Sequence, residues 1–403
     1  MKLSIATNFD NELIEKIKDY PVEELYGKLS KDFIGGGRSS YMLAPIEEKQ
    51  LREHIALARK YGIGFNYLLN ASCMDNLETT KEGQKQIRKL LDFLTDVGVS
   101  SLTVSSPFLL QTIKKSYPHF RVRISVFALV DNLRKAKYWE EMGADIIALD
   151  SHAVNKDFKT LKLLKDNLSC ELELLSNGNC LMNCMMAHVH PNLMAHSSQS
   201  KHSSNGFVVD HCFLYCQKKK MQDPSNYLKS DWIRPEDIHY YEELGYSHFK
   251  LVERNILTEE MVKRVKAYSE QSYDGNLLDL IQGFGFKKSQ KISANSKFKK
   301  LAFFFQPLKI NLMKFNKIKQ LCEKKGMLLP LETTPVYIDN KLLDGFIKPF
   351  LARSCDDLQC GINCKHCEYF AQKAITIDEN FQQECLSLHK DIDDDIYTGK
   401  LWH

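Results

Sequence analysis

SSLTVSSPFLLQTIKKSYPHFRVRISVFALVDNLRKAKYWEEMGADIIALD, residues 100–150, decides the fold. Three short runs, SSLTVSS (100–106), RVRISVF (121–127) and ADIIALD (144–150), alternate with the longer segments PFLLQTIKKSY and NLRKAKYWEEMG. The runs are rich in β-branched residues, whereas the segments between them space their apolar residues for one face of a helix. Pro107 suits a first helical turn, where its missing N–H costs nothing. Strands alternating with helices in this way form βα units on a parallel sheet.

The pattern continues on both sides. Upstream lie LSIATNF (3–9), a less regular run over 23–36 that ends in GGGR, and GFNYLLN (64–70). Downstream lie CELELLSNG (170–178) and YSHFKLVER (246–254), each strand being followed by a helical segment. Eight strands over residues 1–272 predict a TIM-like (β/α)8 barrel, with an open doubly wound sheet as the alternative. In a barrel the chemistry sits on the loops after the strands. The segment 178–245 after the seventh strand is far longer than an ordinary connection, and such insertions are usually functional.

With 403 residues, 43% hydrophobic and 26% charged, the chain can bury one large core and a smaller second one. The expected division is a barrel over 1–275 carrying the loop 178–245, a basic linker over 276–300, and a small C-terminal domain over 301–403. A net charge of +4 suits an acidic substrate or nucleic acid but falls short of a dedicated polyanion binder. The lysine-rich run 287–300 reads first as a solvated loop and second as a phosphate-contacting arm. No stretch approaches the roughly 18 apolar residues of a membrane span, and MKLSIATNFDNELIEK is no secretory signal. A cytoplasmic protein without membrane insertion is expected. Twelve cysteines in a reducing compartment point to metal rather than disulfides.

Eight of them fall in two groups. SNGNCLMNC and DHCFLYCQ carry two C-x-x-x-C pairs, Cys180 with Cys184 and Cys212 with Cys216. Thiolates in such pairs hold iron–sulfur clusters or zinc. His188, His190, His196, His202 and His211 share the window and keep zinc open. SCDDLQCGINCKHCEYF places Cys355, Cys360, Cys364 and Cys367 within 13 positions, too close together to be core thiols. Zinc could staple a small domain there, but the two separated knuckles of a zinc ribbon are missing, which favours iron–sulfur.

Polar residues at strand ends, Asn8, Arg38, Asn66, Asn70, Ser105, Ser106, Ser125, Asp150, Lys250, Glu253 and Arg254, would ring the barrel mouth as a polar pocket. Lys250 and Arg254 suit an anionic group, the arginine as a planar fork and the lysine as a point charge. Asp150 or Glu253 could serve as general acid or base, with Asn8, Arg38, Asn70 and Ser125 as substrate contacts. Gly35-Gly36-Gly37 reads as a turn rather than a phosphate cradle, and neither G-x-S-x-G nor H-E-x-x-H occurs.

The elements ELELLSNGNC, DHCFLYCQ, KLVER and VKRVKAYSE resemble peptidase family U32, the collagenase-like peptidases of unknown catalytic type, over residues 1–275. The resemblance implies a TIM-like barrel and a [4Fe-4S] cluster on Cys180, Cys184, Cys212 and Cys216. Lys250 and Arg254 match the family's K-I-E-G-R, whose glutamate is displaced to Glu253 here. The C-terminal cysteines lie outside the family pattern. Several groups of the family look like oxygen-independent hydroxylases of RNA pyrimidines or ubiquinone precursors. The expectation is an iron–sulfur enzyme performing a redox modification, such as hydroxylation, on RNA, a peptide or a small molecule, served by a redox partner. The alternative is a peptidase or peptide-maturation enzyme with a structural cluster.

Overall fold

Eight parallel strands close into a barrel in chain order: β1 (Lys2–Ala6), β2 (Val22–Gly27), β3 (Gly64–Leu69), β4 (Ser101–Val104), β5 (Arg121–Ile124), β6 (Ile146–Ala148), β7 (Glu171–Leu175) and β8 (His248–Leu251). Closure is by β1, whose Ile5 is paired with Leu25 on one side and Leu251 on the other. This computed structural model describes all residues except 41, 42, 44, 45, 282–304, 306, 307, 328–330 and 332. The lysine-rich run 287–300 lies outside the described residues.

Alternation along the strands divides the side chains. Leu3, Ile5, Leu25, Leu102 and Val122 form one buried set. Ser4, Glu24, Ser101 and Arg123 form the other, bonded to one another inside the barrel. Glu24 accepts from Ser4 Oγ at 2.8 Å and from Ser101 Oγ at 2.9 Å, and it pairs with Arg123. Arg123 also lies 3.4 Å from Glu173, and Glu173 lies 3.9 Å from Lys250. The guanidinium holds the Glu24 carboxyl below its ordinary range, against the burial that opposes ionisation. One step nearer the C-terminal ends, Ala6, Tyr26 and Leu68 form an apolar layer.

The helices start where side chains can accept the orphan N–H groups of a first turn. Asp10 caps α1 (Asn11–Ile17), and Thr80 caps the α3 helix (Lys81–Val97), which follows α2 (Glu48–Lys60). Then come α4 (Pro107–Ser116), with Pro107 in its first turn, and α5 (Leu133–Glu141), capped by Asn132. After β6 run α6 (Ser151–Val154) and α7 (Phe158–Asn167), and after β7 comes α8 (Val189–Ser198). Two expected strands are shorter than their apolar runs. The first ends at Ala6, and the second ends at Gly27 because Lys28 to Gly37 leave the sheet to pack against α8.

The chain forms two compact units, each drawn from several stretches. The barrel unit comprises Met1–Val208, Ser230–Tyr273 and Gly345–Cys364. The second comprises Val209–Lys229, Asp274–Asp344 and Lys365–His403. It holds α9 (His211–Gln222), whereas α10 (Ile238–Glu243) and α11 (Thr258–Ser269) belong to the barrel unit. The second unit also has α12 (Leu312–Lys324) and a short antiparallel pair, β9 (Val336–Ile338) with β10 (Ile375–Ile377). The barrel unit's last helix is α13 (Lys348–Ala352), and α14 (His366–Ala374) and α15 (Glu379–Tyr397) complete the second unit. Among the described residues no helix is long and apolar enough to cross a membrane.

Candidate functional site at the barrel mouth

Beyond β2 the chain turns over the mouth through Lys28 and the glycines. Lys28 is buried with its ammonium 2.9 Å from Asp32, and burial pushes its pKa down. Asp32 also accepts from Tyr67 Oη at 2.9 Å and from Gly35 N at 2.6 Å. The glycines are there for close approach: a Cβ on Gly36 would stand 3.0 Å from Asn70 Oδ1, and one on Gly37 would enter the Phe127 ring at 2.5 Å. Asn70 donates to Ser125 Oγ at 3.1 Å, and its backbone oxygen accepts from Ser105 Oγ.

The end of β8 carries the cations. Arg254 is buried, and its Nη1 has no hydrogen-bond partner among the described residues. Burial, then the positive charge of Arg38, lowers its pKa to about 10. Arg38 reaches Glu253 at 3.4 Å. Glu253 holds φ at +96°, a left-handed conformation that glycine would adopt without strain. KLVER therefore places a carboxylate at a backbone position suited to glycine. Lys250 lies deeper, 4.2 Å from the Tyr26 ring centre, and burial lowers its pKa to about 8. Asn8 is occupied otherwise, donating to Thr258 Oγ1 at 3.1 Å.

The cysteine-bearing segment begins at the end of β7. Asn177 ties the two strand ends together: its Oδ1 accepts from Val252 N at 2.6 Å and its Nδ2 donates to Val252 O at 3.2 Å. Gly178 and Cys180 follow, packed against Asp231, and a Cβ on Gly178 would stand 2.5 Å from the Asp231 carboxylate. Asp231 accepts from Cys180 N at 2.8 Å and from Ser151 Oγ at 2.7 Å. Donor atoms of His152, Cys180 and Asp231 lie within 4.8 Å of one another, the one such group of three among the described residues. Asp150 caps α6 by accepting from His152 N at 3.0 Å, and the same oxygen is 2.8 Å from His152 Nδ1. Against burial, Asp150 and then the Cys180 thiol hold the imidazolium well above its ordinary pKa. Burial raises the pKa of Cys184, as do the charges of Cys180 and Asp231. One thiol with an imidazole and a carboxylate makes a donor set fit for a thiophilic metal.

Cys212 and Cys216 stand one turn apart on α9 in the second unit, with Cys216 Sγ 3.2 Å from Phe213 O. His196 and His202 stack on each other with centres 4.4 Å apart. Cys355, Cys360 and Cys364 belong to the barrel unit, and Cys367 lies in the first turn of α14 in the second. Lys28, Asp32, Tyr67, His152 and Asp231 escape sequence reasoning. Only His152 carried a signal, as the neighbour of a strand-end aspartate in ALDSH, while SDWIRPED looks like any polar loop.

The family model for peptidase family U32 matches residues 37–276. Over 378 residues the chain is 27% identical to an uncharacterized protease of Methanocaldococcus jannaschii, spanning 93% of this chain and 96% of that one. A shorter likeness, 26% over 156 residues, is to tRNA hydroxylation protein P1 of Bacillus subtilis and spans 36% of this chain and 33% of that protein. The solved structure of the U32 peptidase Mk0906 is 19% identical with a TM-score of 0.48, over 63% of this chain and 93% of its own.

Proposed function

Because the chain belongs to peptidase family U32, we propose that it is an iron–sulfur enzyme performing a redox modification, an oxygen-independent hydroxylation, of a substrate with an anionic group, RNA being the class favoured. The observation that carries this reading is the Asn177–Val252 tie, which sets Cys180 beside the strand end bearing Lys250, Glu253 and Arg254. Cys180 and Cys184, in the barrel unit, would be ligands of the cluster. A cluster bound there supplies one-electron redox capacity.

The chain's own residues supply the rest. Arg254, with an unpartnered donor beside Lys28 and Arg38, binds the substrate's phosphate or carboxylate as a fork. Asn70 and Ser125 line the wall beneath the glycines. Asp231 holds the Cys180 backbone in place, and Glu253, paired with Arg38, is the carboxylate that accepts or returns a proton. The likeness to a tRNA hydroxylation protein supports RNA as the substrate class.

Replacing C–H by C–OH with water as the oxygen source releases two electrons and two protons, the electrons passing to an external acceptor. The test is anaerobic purification with iron and sulfide analysis, followed by incubation with unmodified tRNA and a chemical electron acceptor and by nucleoside mass spectrometry. Iron, sulfide and the gain of one oxygen are expected. A protein that binds zinc and no iron would end the redox reading.

A second reading has an observation of its own. Asp150, His152 and Cys180 succeed one another as orienter, base and thiol, the order that a cysteine nucleophile needs. A relative described as a protease accords with it. Peptide cleavage lost in His152→Ala but kept in Cys184→Ala would favour peptidase action.

A further inference from the structure

The cysteines that the barrel site does not use form a group of their own. We propose that Cys355, Cys360 and Cys364 hold a second iron–sulfur cluster of the four-iron type, at a site separate from Cys180 and Cys184. The proposal is independent of the substrate reading and of the chemistry at the barrel mouth.

The backbone builds a ligand loop here. Cys355 opens a single 3-10 turn, Cys355–Asp357. The chain then reverses, with Gly361 at φ +81°. Gln359 O accepts from the N–H groups of Ile362, Asn363 and Cys364 at 3.1, 3.2 and 3.3 Å, and Gln359 N donates to Asn363 Oδ1 at 2.8 Å. Gly361 N donates to Cys364 O at 2.9 Å, which brings Cys360 and Cys364 into bridge register. The loop is ordered by hydrogen bonds and not by a core, since Ile362 at its tip is 73% exposed.

Thiols with a merely structural role are buried among apolar groups. These are not: Cys355 and Cys360 are exposed and Cys364 is half-buried. Their neighbours are cationic, as thiolates require. Arg353 Nη2 lies 3.4 Å from Cys364 Sγ. The Lys156 ammonium also acts on the Cys355 thiol. Lys156 is itself buried, 4.2 Å from the Trp232 ring centre, and donates to Ser230 O beside Asp231.

Spacing chooses the metal. Short gaps of four, three and two residues, from Cys355 through to Cys367, match an iron–sulfur run better than two zinc knuckles. Cys367 enters through this sequence spacing alone.

The test uses the full chain purified anaerobically, with iron, sulfide and zinc measured per chain and electron paramagnetic resonance recorded after reduction. Wild type should carry about eight irons, as two four-iron clusters require. The double variant Cys360→Ala/Cys364→Ala should lose half the iron and one of two resonance signals, with the circular dichroism melt unchanged. Cys180→Ala/Cys184→Ala should lose the other half, so failure at either site is told apart. Cys355→Ser, a milder change, should lower iron or shift the second signal if the double variant folds poorly. Wild-type iron retained in full by the double variant, or zinc filling the C-terminal site, would overturn the proposal.

Discussion

Glu253 concentrates the mouth's chemistry and strain in one residue. A non-glycine residue at φ +96° costs about 1–3 kcal/mol. Its carboxylate recovers part of this by accepting from Asn255 N at 3.1 Å and by a partly exposed pair with Arg38, which together contribute about 1–2 kcal/mol. Glu253→Gly should therefore melt no lower than wild type while losing activity, and a clear drop in melting temperature would refute this account. Arg254→Gln should raise KM for an anionic substrate about tenfold and leave iron content unchanged, as steady-state kinetics and metal analysis would reveal. Lys250 adds a pH dependence. Its folded pKa of about 8 lies below its ordinary 10.5, so its charged form is what burial penalises. Stability from this group rises as pH climbs from about 8 to 10.5 and is at its lowest below 8. If the cation is what the substrate meets, activity falls through about pH 8, and Lys250→Arg moves that limb upward. An unmoved limb would remove Lys250 from the reaction.

At the scale of elements, α2 is fastened to the barrel through one imidazole. His54 Nε2 is 2.8 Å from Thr7 Oγ1 and its Nδ1 is 2.7 Å from Asn11 Oδ1, so it links α2 to α1 and to the residue that follows β1. Burial lowers its pKa from 6.5 to about 4. The unfolded chain then binds the proton more readily, and this contribution is lost as pH falls from about 6.5 to 4, by up to roughly 3 kcal/mol. His389, in the second unit, is lowered to about 3 by burial and acts in the same direction. The wild-type melting temperature should drop faster over that window than that of His54→Gln, and parallel acid curves would show that the imidazole is not the sensor. Helix starts are set locally by capping residues: Asp10, Thr80 and Asn132 each bond within their own first turn. Strand ends were less so, since the apolar run through residues 23–36 continues past Gly27 and only packing on α8 draws Lys28 out of the sheet.

Across the whole molecule, closure of the barrel buries charge as well as apolar surface. Glu24, Arg123, Glu173 and Lys250 stand inside it, and the Arg123 guanidinium is the hinge of the network. Arg123→Met should destabilise the fold by about 3–5 kcal/mol, because two carboxylates are left buried without their partner. Restoring most of that with Glu24→Gln and Glu173→Gln, measured by chemical unfolding, would confirm that unpaired charge is the cause. The amino-acid sequence alone determined the order of strands and helices and the cysteine groups, since periodicity and spacing are properties of neighbouring residues, whereas closure of the eight strands into a barrel came with the β1–β8 pairing. Only the tertiary structure decided that Cys180 answers to Asp231 and His152, and that Cys355–Cys364 belong to the barrel unit. Those partners lie tens of residues apart, and no local pattern encodes a contact that forms only when the strands close and bring their ends to one mouth.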